Sequence, residues 1–266
     1  MANSRTRPGF LEQFQPDYQV RPYVYEDKAV RSLYFSCVAV QSSMSLADPY
    51  ALELGYTKTM MGFLLFNADP RHILLVGLGG GSLSKYCYQR FPNARITTVE
   101  IDPEVIALRD EFLIPRDDER FRIIHADAAE YLASADVAAD VILLDGFDAT
   151  GLPDCLCSEA FYTDCWRALG ENGVLVANLW SGNLGHMDYL NRLDAIFGNR
   201  VWCSRASDSC NQIAFAIKGE NGFPHWYALK ARGQTLDEQY RLDLSWVVRN
   251  LCKYTNQGDC LAESNQ

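Results

Sequence analysis

An apolar run, Val141 to Leu144, empties into Asp145-Gly146-Phe147-Asp148, which puts two carboxylates three residues apart where a strand hands over to a loop. Such a pair can hold an ammonium group, and one member can accept a proton as the amine attacks an electrophile. Proton acceptance matters because an alkyl ammonium, with a pKa of about 10.4, has no lone pair to offer at neutral pH. A sulfonium bound beside it would acidify it further through like-charge repulsion. The plainer reading of the same residues is a strand-end aspartate that caps its own loop.

A second constellation lies upstream. Ile73 to Val76 is apolar and runs into Gly77-Leu78-Gly79-Gly80-Gly81, a helical pattern follows, and Ile96 to Val99 ends on Glu100. Glycines at such a turn allow positive φ and close approach of a ligand, while the helix start offers free N–H groups. An acidic side chain about 20 residues on can accept hydrogen bonds from both hydroxyls of a ribose. Gly77, Gly79, Gly81 and Glu100 therefore read as a nucleoside site. Ser82 stands where a dinucleotide fingerprint wants Gly or Ala, which turns the reading from NAD toward an S-adenosylmethionine-type ligand. Asp127 can accept from an adenine amino group and the Ala128 N–H can donate to a ring nitrogen, although Asp127 also suits the N-cap of the next helix. Asn178, inside another apolar run, completes the set of polar groups at strand ends.

The elements that must position these groups alternate. Strands are expected at 73–76, 96–99, 122–125, 141–144, 174–179, 201–204 and 213–217, with helices at 103–112, 128–132, 158–169 and 187–197 between them. This is an α/β pattern of a mostly parallel seven-stranded sheet with helices on both faces. Its last two strands, joined by a short loop, form an antiparallel hairpin, as in a methyltransferase-like Rossmann fold. Ahead of it, 17–48 reads as a small β-hairpin module ending near Gln41, and 50–66 as a helix with one buried face through Leu52, Tyr56, Met60 and Phe63. The expected organisation is a loose arm (1–16), the hairpin module (17–48), the ligand-binding domain (49–222) and a helical extension with a polar tail (223–266).

A formal net charge of -10 over 266 residues argues against nucleic acid or an anionic membrane surface as the main partner and favours a cationic small molecule. The N-terminus MANSRTRPGF lacks an apolar h-region and no stretch is long enough to span a bilayer, so a cytoplasmic protein is expected. Nine cysteines without a C-x-x-C or a paired His suggest reduced thiols and no metal site.

Taken together, Tyr18-Gln19, a hairpin ending in Gln41, Tyr56 on a helix before Pro70, LLVGLGGGS, VEID (Val99 to Asp102), Asp127-Ala128, LLDGFD and SEAFY (Ser158 to Tyr162) resemble the spermidine synthase family of aminopropyltransferases. The likeness runs from about Tyr18 to Ile217. It implies transfer of an aminopropyl group from decarboxylated S-adenosylmethionine to a polyamine-class amine, with release of methylthioadenosine, by a homodimer without a metal. Carried over by residue, Gln19, Gly77, Gly79, Gly81, Glu100, Asp127 and Ala128 would hold the nucleoside. Asp145 would be the general base, and Gln41, Tyr56, Asp148 and Asp208 would lie on the amine side.

Three departures from that family stand out. Gly80 replaces an aspartate that faces the aminopropyl ammonium, Thr57 replaces a glutamine after the helix tyrosine, and Asp208 stands where an amine-contacting tyrosine is expected. Loss of the glycine-turn carboxylate removes an attraction for the decarboxylated donor and a repulsion against intact S-adenosylmethionine. A methyltransferase using intact S-adenosylmethionine is thus the alternative, and a non-catalytic nucleoside-binding homologue or partner subunit the third. A basic residue at the donor's tail would favour a carboxylate-bearing donor, and Lys58 and Arg205 are candidates for it.

Overall fold

In this computed structural model the described residues are 21–35, 40–134, 136–148, 151–182, 185–219 and 224–254. A small antiparallel sheet comes first, with β1 (Tyr23–Glu26), β2 (Val30–Tyr34) and β3 (Val40–Ser45) in that order. The expected hairpin is therefore a three-stranded sheet. Its third strand, VQSSMS, is poor in residues of high strand propensity. Met44 is buried there, and the Ser42 and Ser43 side chains are buried beside Ser82 and Ser32, with Oγ–Oγ distances of 3.2 and 3.5 Å.

The large sheet comprises β4 (His72–Val76), β5 (Arg95–Glu100), β6 (Phe121–His125), β7 (Ala139–Leu144), β8 (Leu169–Trp180), β9 (Val201–Arg205), β10 (Asn211–Ile217) and β11 (Cys252–Lys253). Their order is β11-β9-β10-β8-β7-β4-β5-β6. Strands β6, β5, β4, β7 and β8 run parallel, and β10, β9 and β11 are added antiparallel. Ile73, Leu74, Leu75 and Ile142 to Leu144 are buried throughout, since a central parallel strand is covered on both faces. The eighth strand, β11, belongs to the stretch expected to be polar tail. In the strand register it sets Cys252 opposite Cys203 and Lys253 opposite Trp202. The expected reduced thiols are found at Cys87, Cys155, Cys157, Cys165, Cys203 and Cys210, while Cys252 departs from the expectation and is disulfide-bonded.

Between the strands lie α2 (Ser82–Arg90), α3 (Pro103–Ala107), α4 (Ala128–Ser134), α5 (Glu159–Ala168) and α6 (His186–Ile196), and before them α1 (Gly55–Met60). The expected 50–66 helix is only α1 followed by a 3₁₀ helix, Met61–Leu65. Leu54 is extended, and Gly62 lies so near the Phe215 ring that a Cβ would come within 2.7 Å of it. The helical extension is broken into α7 (Trp226–Tyr240) and α8 (Leu244–Asn250). Arg241 and Asp243 take φ of 56° and 55° at the break, and the Asp237 carboxylate accepts from the backbone N–H groups of Leu244 and Ser245. Among the described residues, no helix is long and apolar enough to cross a membrane.

Candidate active site

Parallel pairing brings the carboxyl ends of β4, β5, β7 and β8 to one edge. Val76 lies against Leu144 and Val99, and Leu144 against Ala177, so the residues that follow these strands converge. Gly77 (φ 94°) turns the chain directly after β4, and a Cβ on it would sit 2.3 Å from the Asp145 backbone oxygen. Only glycine lets these two strand exits touch. Gly79 (φ 52°) and Gly81 (φ 68°) complete the left-handed turn, which delivers α2.

Glu100 is buried under that turn and holds it. One carboxylate oxygen accepts from Leu78 N–H at 2.8 Å and the other from Asp102 N–H at 2.9 Å. Each oxygen keeps a further lone pair for a ligand hydroxyl. Asp127 caps α4, with Oδ1 accepting from Ala129 N–H at 2.7 Å, so the capping reading holds. Ala128 is buried behind it. Ile101, directly after Glu100, is 61% exposed.

Asp145 sits where the edge meets α1. Its Oδ1 accepts from Asn178 Nδ2 at 2.8 Å and its Oδ2 from the Tyr56 hydroxyl at 3.2 Å. Burial pushes this carboxyl up to about 6, and the two hydrogen bonds pull against that rise. Tyr56 is pushed well above the usual phenol range, first by burial and then by the negative charges of Asp145 and Asp208. It stays a neutral donor.

The other expected residues are spread around this centre. The Gln41 backbone oxygen lies 3.4 Å from the Tyr56 hydroxyl. Asp208, in the exposed turn after β9, accepts from Gly55 N–H at 2.7 Å and so anchors the start of α1. Asp148 is exposed and closes its own turn, accepting from Gly151 N–H at 3.0 Å. Lys58 is on α1 and Arg205 is exposed at the end of β9. Gln19 lies outside the described residues.

Sequence reasoning missed Asn211. Its Nδ2 donates to Asn178 Oδ1 at 2.8 Å, so an amide chain runs from β10 to Asp145. It also missed the crowding at Gly80, where a Cβ would come 2.7 Å from Ser42 Oγ and 2.9 Å from the Phe112 ring. No motif signals either feature, because both depend on chain segments distant in sequence. Among the described residues no cluster of His, Cys, Asp and Glu suited to a metal ion is found.

Residues 53–196 match the spermine/spermidine synthase domain family. A polyamine aminopropyltransferase of Chromobacterium violaceum is 38% identical over 251 residues, covering 93% of this chain and 96% of that protein. In fold the chain is similar to a probable spermidine synthase from Corynebacterium glutamicum, with a TM-score of 0.67 at 22% identity over 80% of this chain and 83% of that one. Human methyltransferase-like protein 13 in complex with SAH gives a TM-score of 0.61 at 27% identity over 70% of this chain and 89% of that one.

Proposed function

The chain belongs to the spermine/spermidine synthase family, and on that premise we propose that it transfers an aminopropyl group from decarboxylated S-adenosylmethionine to a polyamine-class amine. The observation that carries this is Asp145: a carboxyl raised to about 6, held from both sides by Asn178 and Tyr56, beside a glycine turn built for a nucleoside. Such a group is ionised at neutral pH yet basic enough to accept a proton.

In the proposed reaction the bound ammonium gives its proton to Asp145, and the freed lone pair attacks the propyl carbon next to sulfur. The N–C bond forms as the C–S bond breaks, and the electron pair goes to sulfur, which leaves as neutral methylthioadenosine. Positioning does most of the work, since the sulfonium is already an activated leaving group and asks for no metal. In this reading Gly77, Gly79, Gly81, Glu100, Asp127, Ala128 and Gln19 hold the nucleoside. Gln41, Tyr56, Asp148 and Asp208 lie on the amine side, where carboxylates suit a cation. The donor domain is taken as 49–222. A cytoplasmic homodimer follows from family resemblance.

One observation favours a second reading. With Ser42 and Phe112 crowding Gly80, no acidic side chain faces the donor's tail from that position. A donor that keeps its carboxylate, intact S-adenosylmethionine in a methyl transfer, then meets no repulsion there.

Both readings are tested by incubating the purified protein with diamines and longer polyamines and either donor, and following products by mass spectrometry. Methylthioadenosine with an aminopropylated amine is the expected result. S-adenosylhomocysteine from intact donor, with no aminopropyl product, would replace the first reading by the second.

A further inference from the structure

Asp145 receives one side-chain donor on each oxygen, and the two donors differ in kind. The Tyr56 hydroxyl can rotate to suit its partner. The Asn178 amide cannot: it is 2% exposed, and its two ends are alike in shape but opposite in polarity. Turned one way it donates to Asp145 and favours the carboxylate. Turned the other way it presents an oxygen, which only a protonated Asp145 could meet as a donor. The orientation of one buried amide therefore biases the protonation of the group beside it.

Asn211 opposes that reversal. Its Nδ2 lies 2.8 Å from Asn178 Oδ1, so Asn178 avoids setting amide hydrogens against amide hydrogens on reversal only if the Asn211 amide reverses with it. Strand pairing fixes the encounter, because Asn178 on β8 is opposite Ile213 and Asn211 lies two residues along β10 on the same face of the sheet. We infer that Asn211 is a positioning residue for proton acceptance, keeping the Asn178 donor on Asp145 and so favouring its ionised form. This rests on the assignment of Asp145 as the base. Around Asp145 the titratable groups are Tyr56 from α1 and, acting on Tyr56, Asp208 from the β9–β10 turn. Neither brings a positive charge: neutral Tyr56 supplies one hydrogen bond to the carboxylate, and the Asn178 amide supplies the other.

The test reads Asp145 directly, without any substrate. The carboxyl 13C resonance, assigned by its loss in Asp145→Asn, is titrated in the full chain, in Asn211→Ala and in Asn211→Asp. The midpoint is expected near 6 in the unaltered protein, higher by roughly half a unit in Asn211→Ala, and higher still in Asn211→Asp, where about 1.4 kcal/mol corresponds to each unit. In an Asn178→Ala background the Asn211→Ala shift should vanish, which a merely structural role of Asn211 would not produce. The acid limb of kcat/KM should move with the midpoint while donor affinity stays put. Midpoints within about 0.2 unit of the parent in folded Asn211→Ala would overturn the inference; if that variant does not fold, Asn211→Asp decides by the same criterion. A midpoint that moves in a protein without aminopropyl transfer would keep the relay and refute the reaction, and an unmoved midpoint in an active enzyme would do the reverse.

Discussion

Gly55 and Asp208 meet too closely for a side chain at position 55: the Gly55 N–H donates to Asp208 Oδ2 at 2.7 Å, and a Cβ would come within 2.3 Å of Oδ1. The contact ties the turn between β9 and β10 to the first residue of α1, and the next residue is Tyr56. A surface turn is thereby connected to one arm of the Asp145 hydrogen bonding.

Gly55→Ala should push the Asp208 carboxylate aside and free the start of α1. The lost charge-assisted bond is worth about 1 to 2 kcal/mol at a partly exposed position, which for a chain of this size lowers Tm by roughly 2 to 8 °C. Turnover should fall with it, through Tyr56. Adding Asp208→Ala to Gly55→Ala should cost little more, because both remove the same bond. Additive losses in thermal unfolding would show that the contact is not what holds the helix.

Asp145→Asn is expected to cut turnover by about 100-fold or more while donor affinity, measured by calorimetry, changes only a few-fold. An unchanged turnover would remove Asp145 from proton transfer.

The same carboxyl gives a pH signature in stability. Its folded pKa, about 6, lies above the ordinary aspartate value, so the folded state binds the proton more tightly than the unfolded chain. The Asp145 contribution is then fully present below about pH 4 and is lost as pH rises toward and through 6. Urea unfolding across this window should show parent stability declining relative to Asp145→Asn, with the curves parallel above pH 7. Parallel curves throughout would mean that burial does not penalise the ionised form.

What the sequence revealed and what it hid follow from how each feature is encoded. Ile73 to Val76, Ile96 to Val99 and Val141 to Leu144 were legible because strands buried on both faces leave unbroken apolar runs, and Gly77, Glu100 and Asp145 mark where those runs stop. Strand β3 was not, since Ser42 and Ser43 are held by contacts with other segments rather than by their own propensity. The break at Arg241 to Asp243 was hidden because neither residue is one that usually takes positive φ as readily as glycine, and Asp237 enforces it from the preceding helix. Asn211 carries no local pattern at all; its role exists only once β10 lies against β8.

Glu100→Gln should weaken the donor site from beneath. Both carboxylate oxygens already accept from backbone N–H groups, of Leu78 and Asp102. An amide can accept through only one end, so one buried N–H faces another donor, at a cost of about 1 to 3 kcal/mol. Methylthioadenosine affinity is expected to fall by roughly 10-fold or more. Retention of parent affinity would show that the turn does not depend on this carboxylate.

Gly80→Ala separates shape from charge in the donor site. The added methyl would meet Ser42 Oγ at 2.7 Å and Phe112 ring atoms at 2.9 and 3.0 Å. Phe112 is anchored through its backbone oxygen, which accepts from the buried Lys85 ammonium at 2.7 Å, so the ring has little freedom to retreat. Overpacking of this kind costs about 1 to 3 kcal/mol. Gly80→Asp adds a charge to the same clash and should be the less stable of the two. Shortening the neighbours relieves the steric part, so Gly80→Asp combined with Ser42→Gly and Phe112→Ala should recover part of the donor binding that Gly80→Asp alone loses. With room made, the carboxylate should shift calorimetric preference toward decarboxylated S-adenosylmethionine over the intact form. A triple variant whose preference between the two donors equals the parent's would show that position 80 does not face the donor's tail.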